Sequence, residues 1–132
     1  MRITRSIGDV IELSKTVEET DLATFETGTV HPFYGTFALG RDVEWVCRQF
    51  VLEMKDQDEE GIGTFLNITH KSPAMLGQIV RIEAVLDALE GNSLDCSFKV
   101  WVGDRLVAEG TQGQKILKKE KIERIKQQLL SS

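Results

Sequence analysis

The spacing of apolar residues in the middle of the chain predicts one long helix. From Thr36 to Met54 these residues fall on a stripe about 100° wide, which is the width of a buried helix face; the stripe consists of Leu39, Val43, Val46, Cys47, Phe50 and Met54. Gly35 and Thr36 stand at the start of this run, and a threonine there can cap the first free amides of a helix. The sequence therefore predicts a helix over about Thr36–Met54.

Alternation of apolar and polar residues predicts strands on both sides of this helix. One strand is expected before it, from Asp9 to Val17. Four are expected after it, each with one apolar face; they are Gly63–Lys71, Ile79–Leu89, Leu94–Val102 and Arg105 to about Leu117. Gly103–Asp104 is typical of a tight hairpin between the last two. The segment between the first strand and the helix shows no period, so we expect it to be irregular.

One helix and five strands must share one hydrophobic core. A helix of about five turns cannot bury its stripe alone, so the simplest solution is a curved antiparallel sheet wrapped around it. The predicted fold class is therefore α+β with the hotdog architecture, plus a short C-terminal helix. We expect residues 1–117 to form this domain and residues 118–132 to form a charged helix or tail, whose thin apolar stripe contains Ile122, Ile125 and Leu129.

Composition and charge exclude several classes of function. The 132 residues include 16 Lys and Arg against 21 Asp and Glu, a net charge of −5 that disfavours nonspecific nucleic-acid binding. No long apolar run is present, whereas a membrane span needs about 20 such residues. The basic start, Met1–Arg5, has no apolar stretch behind it and is not a secretory signal. Cys47 and Cys96 form no metal-binding motif, and we expect reduced, buried thiols in a cytoplasmic protein.

Three polar residues could carry chemistry. His70 is predicted to point from its strand toward the core, either as a hydrogen-bonded structural residue or as an acid–base group. Glu44 lies at the border of the buried stripe, where its carboxylate is either solvated or half-buried in a cleft. Thr36 is expected to cap the helix. The helix N-terminus at Gly35–Thr36 also offers free N–H groups and the positive end of the dipole, which can stabilise an oxyanion.

The remaining candidates each have a structural and a functional interpretation. Gly61 and Gly63 bracket a strand start, where glycine serves either turn geometry or close approach of a ligand to the backbone. Trp45 and Trp101 are expected to point away from the core, which indicates a subunit interface or cover by the C-terminal helix. His31, beside a proline, is expected in a surface loop or lid and is not a site candidate.

Thr36, Glu44 and His70 together, with Gly63 leading into the histidine strand, resemble the hotdog-fold acyl-CoA thioesterases. The sequence is most similar to the fluoroacetyl-CoA thioesterase-like family, over about Gly8–Ile116. Members of that family similarly have a threonine at the start of the helix, a glutamate within it and a histidine on the following strand.

This resemblance implies an enzyme that hydrolyses a small acyl-CoA thioester to the free acid and coenzyme A. Thr36, Glu44 and His70 would be its catalytic residues, and Gly35 and Gly63 would contact the substrate. The resemblance also implies a homodimer or higher oligomer, with no metal and no cofactor beyond the coenzyme A of the substrate. Thr36 and Glu44 would lie about 12 Å apart along a straight helix, so either Thr36 lies outside the helix on a chain that folds back, or Thr36 of one subunit faces Glu44 of the other. The outward tryptophans and the paired sites of the enzymes that this sequence resembles favour a site shared between two subunits.

Two alternatives use the same fold. In a non-catalytic acyl-CoA or lipid-binding hotdog module the polar residues would be structural, with His70 hydrogen-bonded to Glu44. A hydratase would need an aspartate five residues before a histidine, but Phe65 precedes His70 at that spacing and Glu26 precedes His31. The hydratase branch is therefore disfavoured.

Overall fold

A computed structural model describes residues 1–132 and contains the predicted long helix and five long strands. Its elements are β1 (Val10–Thr16), a 3₁₀ turn (Glu19–Asp21), β2 (Leu22–Phe25), β3 (Gly28–Tyr34), α1 (Thr36–Met54), β4 (Glu59–His70), β5 (Ile79–Glu90), β6 (Ser93–Val102), β7 (Arg105–Lys118) and α2 (Lys119–Leu130). Neither helix has the length and apolar content of a membrane span.

The five long strands form one antiparallel sheet in the order β1-β5-β6-β7-β4. The helix α1 packs against one face of this sheet, and β2 and β3 form a separate small hairpin. This arrangement confirms the predicted α+β hotdog architecture. The chain enters the sheet at one edge with β1, crosses to α1, and begins the opposite edge with β4.

The core lies between α1 and the inner face of the sheet. All six residues of the predicted helical stripe are buried, each at most 2% exposed. They meet the inward rows of β5 and β6, which are buried to the same degree; these rows contain Val80, Ile82, Ala84, Leu86, Leu94, Cys96, Phe98 and Val100. Alternation along both strands therefore predicted the buried face correctly.

Cys47 of α1 and Cys96 of β6 are free, buried thiols, as predicted. They contact each other across the core. A hydrogen bond with Cys96, together with burial, raises the pKa of the Cys47 thiol well above its usual value. Cys47 therefore acts as a neutral packing group.

Two expectations about the chain path are corrected. The segment before α1 is not irregular, since it contains the 3₁₀ turn and the β2–β3 hairpin. Most hairpin side chains are exposed on both faces, so no alternation reveals these strands, and Pro32 interrupts β3. The strand β4 begins at Glu59 rather than Gly63, because Glu59–Gly61 pairs with Ile116–Lys118 at the end of β7.

The edge strand β4 presents apolar side chains to solvent. Ile62, Phe65 and Leu66 are each about 40% exposed, and one side of the strand has no neighbour in the sheet. Trp45 on α1 is 54% exposed, as predicted. Trp101 is only half-buried: its indole N–H donates to Glu83 at 2.8 Å. Exposed apolar edges of this kind mark surfaces that pair with another chain.

A charged cluster ties β1, the 3₁₀ turn and α1 together. Asp21 is only 1% exposed and accepts from Lys15 and Arg41, each at 2.8 Å. Lys15 and Arg41 also bind Asp42, which accepts a short hydrogen bond from the hydroxyl of Tyr34. Burial raises the pKa of the Asp21 carboxyl, but hydrogen bonds from Lys15, a backbone amide and Arg41 outweigh burial and hold the pKa below its usual value.

We predict that Asp21→Asn lowers the free energy of unfolding by about 2 kcal/mol at pH 7, because it breaks a buried ion pair. A lowered folded-state pKa stabilises the fold above the usual carboxyl pKa, and this stability is lost as the pH falls below about 4. Urea unfolding should therefore show the wild-type advantage shrinking from pH 5 to pH 2. Asp104→Asn, at an exposed turn, should have little effect, and a pH-independent difference for Asp21→Asn would contradict the assignment.

Candidate active site

Thr36 and His70 are hydrogen-bonded to each other at the start of α1 and the end of β4. The Thr36 Oγ1 and His70 Nε2 atoms are 2.8 Å apart. The pair lines an open cleft of about 340 Å³ whose other walls come from β3 and the residues after β4; they are His31, Phe33, Tyr34, Lys71, Ser72 and Pro73. The predicted catalytic threonine and histidine therefore form one unit.

Two expectations about this pair are corrected. Gly35, not Thr36, is the N-cap of α1, and no side chain caps the helix; the Thr36 hydroxyl binds His70 instead. His70 lies on the strand face that meets α1, but it is exposed rather than buried. The reason is that β4 is an edge strand and that His70 stands level with the first residue of α1, so no further helical turn covers it.

Glu44 lies along the same helix but in a second cleft, of about 330 Å³. This cleft is lined by polar residues of α1 and by the glycine-containing start of β4; its walls are Arg41, Glu44, Trp45, Arg48, Gly61, Gly63 and Gln114. Gln112 donates from its side-chain amide to Glu44 Oε1 at 3.4 Å. Glu44 is exposed although it lines this cleft, so the solvated environment is the one of the two expectations that the structure bears out.

Gly63 leaves a space that the end of the Glu44 side chain occupies. A Cβ at position 63 would lie 2.7 Å from Glu44 Oε1, closer than any real Cβ contact. Gly35 is similarly crowded, since a Cβ there would lie 3.0 Å from the Cα of Ala23 in β2. Crowding by neighbouring atoms thus accounts for glycine at both positions. The contact of Gly35 and Gly63 with substrate stays a prediction.

The arginines beside Glu44 already have acidic partners. Arg41 binds Asp21 and Asp42, and Arg48 donates to Glu60 at 2.8 Å. The hydrogen bond from Arg48 holds the pKa of Glu60 below its usual value. Because these cations are engaged elsewhere, the Glu44 carboxylate remains available as a proton acceptor or nucleophile.

Within one chain, Glu44 does not meet the Thr36–His70 pair. Thr36 and Glu44 are about 12 Å apart along the helix axis. His70 and Gly63, beside which Glu44 packs, are about 20 Å apart along β4. The alternative in which Glu44 satisfies His70 is therefore wrong for the single chain, because the partner of His70 is Thr36.

Three residues at these clefts were not predicted as part of a site. His31 reaches the Thr36–His70 cleft because the β2–β3 hairpin folds over it, and that hairpin carries no sequence signal. Gln112 and Gln114 lie on the inner face of β7, opposite Cys96 and the buried Leu94 of β6. The alternation of β7 could have identified them, since both glutamines occupy positions in register with the core.

Comparison with known proteins identifies the family. The model of the fluoroacetyl-CoA-specific thioesterase family matches residues 17–120, which is most of the chain. The chain belongs to this thioesterase family. The matched segment contains Thr36, Glu44, Gly63 and His70. No curated protein matches the chain.

Solved structures agree with this family assignment. A hypothetical Thermus thermophilus protein of the thioesterase superfamily is 28% identical, covers 96% of this chain and 93% of its own, and has a TM-score of 0.89. The fluoroacetyl-CoA thioesterase itself is 19% identical with a TM-score of 0.85, covering 94% and 96% of the two chains. A hot-dog-like protein from Thermanaerovibrio acidaminovorans is also 19% identical, with a TM-score of 0.84 and coverage of 92% and 90%. The two structures at 19% sequence identity show that the fold is shared.

We predict that Gly63→Ala lowers the rate of thioester hydrolysis at least about tenfold, because the new methyl displaces the Glu44 carboxylate. The fold should tolerate the change, since a flexible side chain is what moves. Gly40→Ala is the matched control, because its Cβ would lie 3.4 Å from Leu66 in ordinary contact. Hydrolysis rates and melting temperatures distinguish the two, and equal rates for both variants would contradict this role of Gly63.

Proposed function

We propose that the protein hydrolyses a small acyl-CoA thioester to the free acid and coenzyme A, in two sites shared between the subunits of a homodimer. The observation that carries this proposal is the separation of the two halves of the site. Thr36 and His70 are bonded in one cleft, and Glu44 lies in another along the same edge strand.

A two-fold axis at the exposed edge of β4 would unite the two halves. Antiparallel pairing of β4 with its copy, centred just after Leu66, sets Gly63 opposite the partner's His70. Glu44, which packs on Gly63, then lies beside the Thr36–His70 pair of the other chain. The same axis generates a second, equivalent site.

The distribution of exposed apolar residues supports this dimer. Phe37 near the start of α1 is 95% exposed, and it shares the outer side of the helix with Trp45. Phe65 and Leu66 lie exposed on β4 at the point where the axis would pass. Such a set is unusual on a monomer surface and is typical of an interface.

Ligands of a structurally similar enzyme support a small acyl group. Variants of the fluoroacetyl-CoA thioesterase have been solved with fluoroacetate and CoA and with acetyl-CoA. The two free buried thiols also fit a reducing, cytoplasmic location.

The proposed chemistry divides among the named groups. The Gly35 N–H already donates to the carbonyl oxygen of Asp21 at 2.9 Å, so the amide of Thr36 at the N-terminus of α1 polarises the thioester carbonyl and stabilises the oxyanion. Glu44 either accepts a proton from the attacking water or attacks the carbonyl carbon, forming an anhydride that water then cleaves. His70, held by Thr36, orients water or transfers the proton. In both routes one water is consumed, the C–S bond breaks and the thiol leaves with a proton.

We predict thiol release from at least one member of a panel of short, branched and aromatic acyl-CoAs. Glu44→Gln and His70→Ala should each lower kcat by about two orders of magnitude, the usual contribution of an acid–base group. Melting temperatures should stay close to that of the wild type, because both side chains lie outside the core. Binding of acyl-CoA without any thiol release would instead support the non-catalytic module.

We predict that two inactive variants, Thr36→Ala and Glu44→Gln, restore activity when mixed under subunit exchange. In the heterodimer both lesions fall in one site and leave the other intact, so an equal mixture should recover about a quarter of wild-type activity.

The matched control is a mixture of Thr36→Ala with His70→Ala. These two residues belong to the same half of the site, so each site of that heterodimer keeps one lesion and no activity should return. Recovery in neither mixture, with exchange confirmed by mass spectrometry, would show that each chain holds its own complete site.

A further inference from the structure

Two glutamines are buried side by side on the inner face of β7, beneath Glu44. Gln112 is 1% exposed and Gln114 is 4% exposed. Their neighbours across β6 are the apolar Leu94 and the neutral thiol of Cys96. Apolar side chains at these positions would remove the free-energy cost of burying two amides. The presence of two polar side chains at these buried positions therefore needs an explanation other than packing.

The two amides form a directed chain that ends on Glu44. Gln114 Nε2 donates to Gln112 Oε1 at 3.2 Å, and Gln112 Nε2 donates to Glu44 Oε1 at 3.4 Å. Because Gln112 Oε1 accepts from Gln114, its N–H groups face the carboxylate. The first amide thus fixes the orientation of the second.

The two carboxylate oxygens of Glu44 have different hydrogen-bonding environments. Oε1 accepts from Gln112 and lies against the backbone of Gly63, where a Cβ would approach within 2.7 Å. Oε2 accepts no hydrogen bond, and Glu44 lines the open cleft. A carboxylate held at one oxygen keeps a fixed direction for the other.

We infer that Gln112 is a positioning residue for Glu44 and that Gln114 orients Gln112. The pair holds Oε1 and leaves Oε2 as the atom that accepts the proton or attacks the carbonyl. This inference rests on the proposed function, since it assigns a purpose to the carboxylate that the hydrolysis uses. Neither glutamine touches the substrate.

The test compares Gln112→Leu, Gln114→Leu and the double variant with the wild type on the best acyl-CoA of the panel. Loss of a hydrogen bond to a charged group should lower kcat about tenfold in Gln112→Leu, with KM within about twofold. The double variant should be equally slow, yet at least as thermally stable as the wild type, because it removes both buried amides together. Cys96→Ala, at the position paired with Gln112, controls for core perturbation and should retain its rate.

A second comparison separates positioning from general structural damage. In a Glu44→Gln background, Gln112→Leu should change kcat by less than about twofold, because Gln112 acts only through the carboxylate. A structural role would lower the rate equally in both backgrounds. If Gln112→Leu does not fold, the double variant supplies the same comparison.

The outcomes distinguish this inference from the proposed function. A wild-type protein that releases no thiol from any acyl-CoA overturns both. An active wild type whose kcat is unchanged in Gln112→Leu, or whose loss is the same with and without the Glu44 carboxylate, overturns the role of Gln112 alone. A tenfold loss of kcat in Gln112→Leu, with KM unchanged and with no such loss in the Glu44→Gln background, supports the role of Gln112.

Discussion

Burial of the apolar stripe of α1 by a single sheet is the interaction on which the rest of the structure depends. Six side chains, each contributing about 1.5 to 3 kcal/mol on full burial, fix the rotation of the helix about its axis. Once that rotation is set, Glu44 must lie at the border of the stripe and Trp45 must face outward. The same packing places the first residue of α1 level with the end of β4, where Thr36 meets His70.

The straightness of the helix then determines which catalytic side chains can meet within one chain. A rigid α1 keeps Thr36 and Glu44 about 12 Å apart, too far for both to act on one carbonyl in one chain. The proposed dimer would resolve this conflict, because a second copy pairing at the exposed edge of β4 would bring its own carboxylate. In the proposed dimer, catalysis and assembly would depend on one surface, and the buried glutamines beneath Glu44 would orient the carboxylate toward the partner's half of the site.

The sequence predicted those elements whose pattern reflects burial. The stripe of α1 and the alternation of β5 and β6 gave the hotdog fold, and the spacing of Thr36, Glu44 and His70 gave the family. The β2–β3 hairpin carried no such signal, because exposed side chains on both faces leave no period. The exposure of His70 and the Thr36–His70 bond depend on where β4 lies in the sheet, and strand order is not encoded in the alternation. Gln112 was overlooked because a polar residue at an inward position looks like a break in the pattern.

In the proposed function, a second chain completes the active site. A crystal structure of the protein with a non-hydrolysable acyl-CoA analogue tests it most directly. In the proposed dimer, the analogue's carbonyl carbon should lie within about 4 Å of the Thr36–His70 pair of one protomer and of the Glu44 carboxylate of its partner. An analogue whose carbonyl contacts Thr36, His70 and Glu44 of one and the same chain would contradict it.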